Sequence, residues 1–435
     1  MSEITVAKFQ CMQVQIKSAF YQCYGGINFI DADYNKLGFE KLITSHLGHR
    51  SLNAVYSYSD IIKTIFYIHA IGGDALDDVS VLKEQMQDHP GLSLCSADTI
   101  EYVSQQLRQP NTVITTEKAV THIINEHEGF NKLLPALCKQ GGLLTAATDY
   151  TMDYDGHIVK NTKPDNARNY KKTEGYYPVV CSINKWPVYM QNRNGNTPES
   201  YNQLAIISKA LTQCQSQDIK VKKFRADACC YQKQTVLYLE QLSILYYIRT
   251  EMNHALCMAL QDETDWQPIL LNHKKAEVCA IEYPVFGSRQ HRRIIAYRTK
   301  ATGQLTINQT DGYSYHAILT NDPGDAISVI EFYNQRGCDG EHHFKELDYD
   351  FGWAKLPFDN IEMNTIYMYA TIIAYLLFNI FKHSYAVKTR FVKSQMRLKN
   401  FILHFVTLTA KWIKTGRRWI LKIFTNKDYS PVFVT

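Results

Sequence analysis

The sequence predicts an α/β protein: a helical first third, a mixed-sheet core interrupted by a β-rich insertion, and a basic helical tail. Three observations carry this expectation. Sustained strand-like alternation is absent before residue 140, whereas from about residue 143 apolar stretches alternate with polar turns and then with helical stretches. Between Lys382 and Lys427 the chain holds twelve Lys or Arg and no Asp or Glu, so the formal charge of +5 is concentrated near one end. The expected layout is a helical domain at 1–140, a layered α/β domain at 141–385 with an insertion at about 252–312, and a basic segment at 386–435.

Each element follows from its local pattern. Ser59 or Asp60 caps a helix carrying Ile61, Ile62, Ile65, Phe66, Ile68 and Ile71, which ends at Gly72-Gly73. These apolar positions cover most of the circumference, so the helix is expected to be buried. Further helical pieces are expected at 77–86 and 100–107. Stretches 150–154, 176–183 and 186–190 read as three neighbouring strands. Helix 201–214, strand 219–226, helix 232–242 and strand 244–249 follow. Short strand-like pieces at 278–283 and 293–297 fall in the insertion, and strand 315–320 leads through Asn321-Asp322-Pro323-Gly324 into a helix from Ala326. In the tail, Lys411, Lys414, Arg417, Arg418 and Lys422 interleave with Trp412, Ile413, Trp419, Ile420 and Ile423, the pattern of an amphipathic helix.

Composition excludes several classes of protein. Eleven cysteines without a CxxC spacing argue against a disulfide framework or a zinc module, and point to reduced thiols. The start Met1-Ser2-Glu3 lacks a secretory pattern, so a cytoplasmic protein is expected. The apolar run 366–381 is sixteen residues long and interrupted by Tyr367, Tyr369, Thr371, Tyr375 and Asn379, which fits a buried core helix and not a membrane span. A basic tail suits a polyanion, either nucleic acid or an anionic membrane surface.

The candidate chemistry lies in carboxylates. Asp153 and Asp155 flank Tyr154 in a strand, so both leave the same face; Asp155 also fits an Asp-Gly turn before His157. Asp227 ends a strand, the place where ligands gather in open α/β sheets, and equally suits a helix cap. Glu341 lies eight residues beyond Tyr333, about two helical turns, and Arg336 presents a planar fork suited to phosphate. Three separated segments could thereby bring carboxylates to one point, as a pair of hard divalent cations requires. The turn Asn192-Arg193-Asn194-Gly195-Asn196 and the group Arg168, Lys171 and Lys172 read either as phosphate contacts or as solvated loops. His342-His343 lacks correctly spaced partners for zinc.

Taken together, Asp153-Tyr154-Asp155, Asn192-Arg193-Asn194-Gly195-Asn196, Phe224-Arg225-Ala226-Asp227, and the block from Tyr333-Asn334-Gln335-Arg336-Gly337 through Glu341 to Asp350-Phe351-Gly352-Trp353 resemble the DDE transposases of bacterial insertion sequences. The resemblance covers most of the chain. It implies a ribonuclease-H-like core in which Asp155, with Asp153 as the substitute, joins Asp227 and Glu341 in binding two Mg²⁺ ions, for which Mn²⁺ can substitute. Tyr333 and Arg336 accompany the glutamate. It further implies cleavage of transposon ends and transfer of the 3′-OH ends to target DNA, by a DNA-bound homodimer whose N-terminal helices recognise terminal repeats. Two departures stand out. Four residues separate Arg336 from Glu341 where the family pattern has three, and Asp348 replaces the lysine expected seven positions after Glu341, leaving Lys345 or Lys355 to cover that role. The alternatives are a catalytically inactive DNA-binding relative and a metal-dependent nuclease without strand transfer.

Overall fold

The computed structural model describes residues 4–9, 12–16, 20–271, 273–301 and 311–433; the side chains of 4–16 and of 337–342 lie outside that description. Eleven of the described strands build one sheet, and strand Asp149–Gly156 lies next to its middle strand, Lys220–Ala226. Lys220–Ala226 lies parallel to Asp149–Gly156 and Leu245–Arg249 parallel to Lys220–Ala226. On the other side, Val179–Ile183 and then Trp186–Arg193 pair antiparallel. This is a ribonuclease-H-like core, and its strands follow the period-2 apolar runs of the sequence closely.

The β-rich insertion extends this sheet. Tyr313–Thr320 pairs antiparallel with Leu245–Arg249, and His291–Lys300, Lys274–Pro284 and Gln267–Leu271 continue outward by successive antiparallel pairing. At the opposite edge the sheet gains a hairpin of Thr112–Thr115 and Thr121–Asn125, with Asn125 opposite Asn192. Those two short strands were not expected in a helical first third; their four and five residues are too few for alternation to register in the sequence.

A second, separate hairpin pairs Ile4–Phe9 with Met12–Ile16, also outside the helical expectation, and the other described elements before Thr112 are helical. Helix Tyr58–Ala70 is capped by Ser57, two residues before the first candidate, in a reciprocal box with Asp60. It packs against Ile361–Lys388, a helix whose most apolar window is wholly buried. That helix is long and apolar enough to cross a membrane, yet every such residue faces protein. Several of its polar side chains are satisfied internally: Tyr369 Oη donates to the Met190 carbonyl at 2.6 Å and Thr371 accepts the Trp353 indole N–H at 3.0 Å.

The tail has short helical pieces at Leu398–Phe401 and Ser430–Phe433 with a π-helical turn at Ile402–Val406. Between them, residues 411–423 depart from the expected amphipathic helix and form an antiparallel hairpin, Thr409–Thr415 against Arg418–Phe424. Gly416, at φ 59°, sits first in the two-residue turn, where a left-handed backbone matches the twist of the strands. β-Branched and aromatic residues fill both arms, so tertiary pairing overrides a spacing that a helix would also satisfy. The hairpin docks on the N-terminal segment: Gln22 bridges to Ala410, and the Trp412 indole donates to Asn28 Oδ1 at 2.9 Å.

Candidate active site

The register of the two parallel strands creates the site. Arg225 lies opposite Asp153 and Ala226 opposite Tyr154, so the next residues, Asp155 and Asp227, emerge side by side where the strands end. Asp155 belongs to the strand itself, with Gly156 its last residue, and does not sit in a turn. Asp227 Oδ1 accepts the Cys229 N–H at 2.9 Å and so caps the short helix Ala228–Cys230. Capping and exposure to the site therefore coexist in one side chain.

A long helix, Ala326–Asp350, crosses over these strand ends, started by Asp325, whose carboxylate accepts the Ile327 and Ser328 N–H groups. Its backbone is continuous through Gly337 and Gly340. Tyr333 Oη donates to the Ala226 carbonyl at 3.3 Å, and burial pushes its phenol up to about 12. Arg336 Nη2 donates to the Tyr154 carbonyl at 3.1 Å and lies 3.2 Å from Asp155 Oδ1. Tyr333 and Arg336 thus each touch the end of one of the two acid-bearing strands. Glu341 is on the same helix, but its side chain lies outside the described residues.

Electrostatically the site is crowded with negative charge. Burial pushes the Asp155 carboxyl above its usual range; Arg336 opposes that shift, while Asp227 and Asp153 add to it. Asp153 has a different environment: its two oxygens accept Arg225 Nε and Nη2 at 2.7 and 2.8 Å, both side chains are buried, and Arg225 Nη1 reaches the Phe332 carbonyl at 3.0 Å. Asp153 is committed to the core and Asp155 opens to the site.

A family model described as "Transposase DDE domain group 1" matches residues 22–435. The chain belongs to this transposase family. Among solved structures, the piggyBac transposase synaptic complex with hairpin DNA is similar at 11% identity with a TM-score of 0.43, covering 88% of this chain and 80% of that one. The Drosophila P element transposase strand transfer complex is similar at 12% identity with a TM-score of 0.25, covering 57% of this chain and 53% of that one. No curated protein matches.

For this transposase-family chain, the structure adds a carboxylate that sequence reasoning missed. Glu199 is buried beside Asp227 and Cys229, and one ligand atom from each lies within 4.8 Å of the others, a group that could hold a metal ion. Burial, and then the charges of Asp227 and Asp155, push its carboxyl up to about 7. Gly156 makes room for it: a Cβ there would fall 2.8 Å from the Tyr177 ring and 2.9 Å from Glu199 Cδ. The Asp155-Gly156 pair was the available sequence signal, since a glycine after a strand-end acid marks a close approach.

Arg193 is fully buried and holds the loop that presents Glu199, donating to the carbonyls of Pro198, Glu199 and Tyr201 at 2.7, 3.3 and 2.9 Å. It is therefore unavailable to phosphate, one of the two readings its turn allowed. Arg168, Lys171 and Lys172 are exposed, Arg168 at the end of a strand of a small separate sheet and the two lysines in the turn that follows. Asp348, in place of the expected lysine, accepts from or pairs with His157 Nε2 at 2.9 Å, and Lys355 pairs with Asp74.

Proposed function

We propose that this chain is a DNA transposase of the bacterial insertion-sequence type that cleaves transposon ends and transfers the freed 3′-OH ends to target DNA. The observation that carries the reading is the emergence of Asp155 and Asp227 side by side at the ends of two parallel strands, under a helix that bears Glu341. These acids are the proposed metal ligands, with Tyr333 and Arg336 as their companions. The donor set fits a hard cation pair, being carboxylate oxygens; burial first, and then the neighbouring Asp227 and Asp153 charges, raise the Asp155 carboxyl against the pull of Arg336. Asp155, Asp227 and Glu341 would hold two Mg²⁺ ions, which would supply activation of the attacking water or 3′-OH and charge stabilisation of the leaving 3′ oxygen.

The chain's own residues supply the rest. Arg336 balances Asp155 and, with its fork near the strand end, is placed to meet a phosphate; Tyr333 fixes the helix against Ala226. In this reading residues 1–140 bind terminal repeats, 141–385 carry out catalysis, and the basic 386–435 segment contacts DNA phosphates. The working form is a DNA-bound homodimer in the cytoplasm, since two ends are cut together.

The test is incubation with transposon-end DNA and Mg²⁺, beside Asp155→Asn, Asp227→Asn and Glu341→Gln forms. The proposal expects cleavage and joining by the unsubstituted protein and neither by the three variants. Equal cleavage by all forms rules out the assigned acids. Cleavage without joining of the 3′ end to a second duplex makes the protein a nuclease. Retained DNA binding without cleavage makes it a non-catalytic relative.

A further inference from the structure

Glu199 has no role in the three-acid scheme, yet its surroundings are built with unusual care. Only 9% of it is exposed. Its main-chain carbonyl accepts from Tyr154 Oη at 2.8 Å and from Arg193, and its Oε2 accepts from Tyr177 Oη at 2.8 Å. Its Oε1 is buried and has no hydrogen-bond partner among the described residues. A carboxylate oxygen left bare in the interior is costly, and a cation is one of the few groups that offsets the cost.

The neighbours of that oxygen are themselves ligands. Asp227 and Cys229 bring a carboxylate oxygen and the sulfur into a group whose atoms all lie within 4.8 Å of one another. The Cys229 sulfur accepts from Gln203 Nε2 at 3.5 Å, and Gln203 is fixed in that orientation because its Oε1 accepts from Thr235 Oγ1 at 3.2 Å. Cys229 Sγ also donates to Cys230 Sγ at 3.8 Å, and binding of a cation would release that proton.

We propose that Glu199, Asp227 and Cys229 form a site for a borderline-soft divalent cation of the Zn²⁺ class, adjoining the proposed Mg²⁺ pair and sharing Asp227 with it. Sulfur decides the class of ion: Mg²⁺ demands an octahedron of oxygens, whereas Zn²⁺ accepts two carboxylates and a thiolate and keeps its fourth position for water or a phosphate oxygen. Ligand atoms around a tetrahedral Zn²⁺ stand roughly 3.5 Å apart for bonds of about 2.0–2.3 Å, and those of this group all lie within 4.8 Å of one another. Because Asp227 cannot serve both sites fully, Zn²⁺ competes with the Mg²⁺ pair and suppresses cleavage. That consequence rests on the transposase reading; the binding of the ion does not.

The experiment is equilibrium dialysis of the full chain against Zn²⁺ in excess Mg²⁺ under reducing conditions, with Cd²⁺ as a second probe read by its thiolate charge-transfer absorption. All forms carry Cys23→Ser, which removes the one exposed thiol among the described residues, together with Cys11→Ser and Cys338→Ser. The expected result is about one equivalent of Zn²⁺ whose affinity falls roughly tenfold or more in Cys229→Ser and in Glu199→Gln, with loss of the Cd²⁺ band in Cys229→Ser. Asp155→Asn and Glu341→Gln keep the ion. Far-ultraviolet circular dichroism checks that each variant is folded, and Cys229→Ala serves if the serine form is not. No Zn²⁺ uptake, or uptake unchanged in folded Cys229 and Glu199 variants, overturns the site. Failure of end cleavage with Zn²⁺ uptake intact overturns only the transposase reading.

Discussion

Asp153 and Asp155 are two residues apart on one face of one strand, and replacing each by asparagine is expected to have opposite consequences. Asp153 makes a bidentate pair with Arg225 at 2.7 and 2.8 Å, the two side chains being 3% and 4% exposed, and Arg225 also lies over the Phe332 ring at 5.0 Å. Asp153→Asn removes the charge and leaves the guanidinium buried against a neutral amide, a loss of about 3–5 kcal/mol by the usual cost of breaking a buried pair from one side. Asp155 has one ion-pair contact among the described residues, at 3.2 Å, and its side chain is 30% exposed. Its carboxyl is raised above the ordinary value by burial, so at neutral pH its charge opposes folding; neutralising it changes stability by less than about 1 kcal/mol, in the stabilising direction.

Urea unfolding followed by circular dichroism reads the first quantity, and end cleavage with Mg²⁺ reads the second. Asp153→Asn should unfold at clearly lower urea while its folded fraction retains cleavage. Asp155→Asn should unfold at or above the wild-type midpoint and cleave nothing. Equal destabilisation by both, or cleavage by Asp155→Asn, refutes the division of labour between the two acids.

Two further outcomes follow from burial and charge. His69 is 3% exposed and burial lowers its pKa to about 4, against the opposing Gly73 carbonyl and the charges of Asp74 and Asp78. The unfolded chain takes up a proton at this residue near pH 6.5 while the folded one does not. Stability should therefore fall between pH 6.5 and 4, by up to about 3 kcal/mol from this residue, and His69→Gln should flatten that limb of a urea midpoint against pH profile; an unchanged limb rejects the assignment. For the tail hairpin, exposed Lys414 and Arg418 are neighbouring cations, Lys414 lying over the Trp419 ring at 5.5 Å. If the hairpin meets phosphates, the double change Lys414→Gln and Arg418→Gln should lower the slope of log affinity against log salt by roughly 2 for end DNA. A fluorescence titration over a salt series with an unchanged slope removes the hairpin from the interface.

The legible part of this chain is the part governed by short-range periodicity. Strands Asp149–Gly156, Lys220–Ala226 and Leu245–Arg249 declare themselves by apolar runs ending in turn residues, and the acids at their ends inherit a predictable location. The hairpin at 409–424 was illegible for the converse reason. Its apolar residues satisfy helical and strand spacing alike, and only Gly416 between Thr415 and Arg418 favours the turn.

Glu199 shows why a site can be half legible. Its position depends on Arg193, Tyr154 and Tyr177, none within five residues of it, so no local pattern announces a buried acid at Pro198-Glu199-Ser200. Once Arg193 is seen with its guanidinium turned inward onto the carbonyls of Pro198, Glu199 and Tyr201, the basic turn that suggested phosphate becomes the clamp that delivers a carboxylate to Asp227. The Arg225 and Asp153 pair does the same for the strands, tying the two acid-bearing ends together in register. Both buried arginines thus act beneath the site and Arg336 acts at it. An arginine in the sequence of such a core cannot be assigned to phosphate by its charge; burial of its fork against carbonyls or carboxylates decides which arginines remain for DNA.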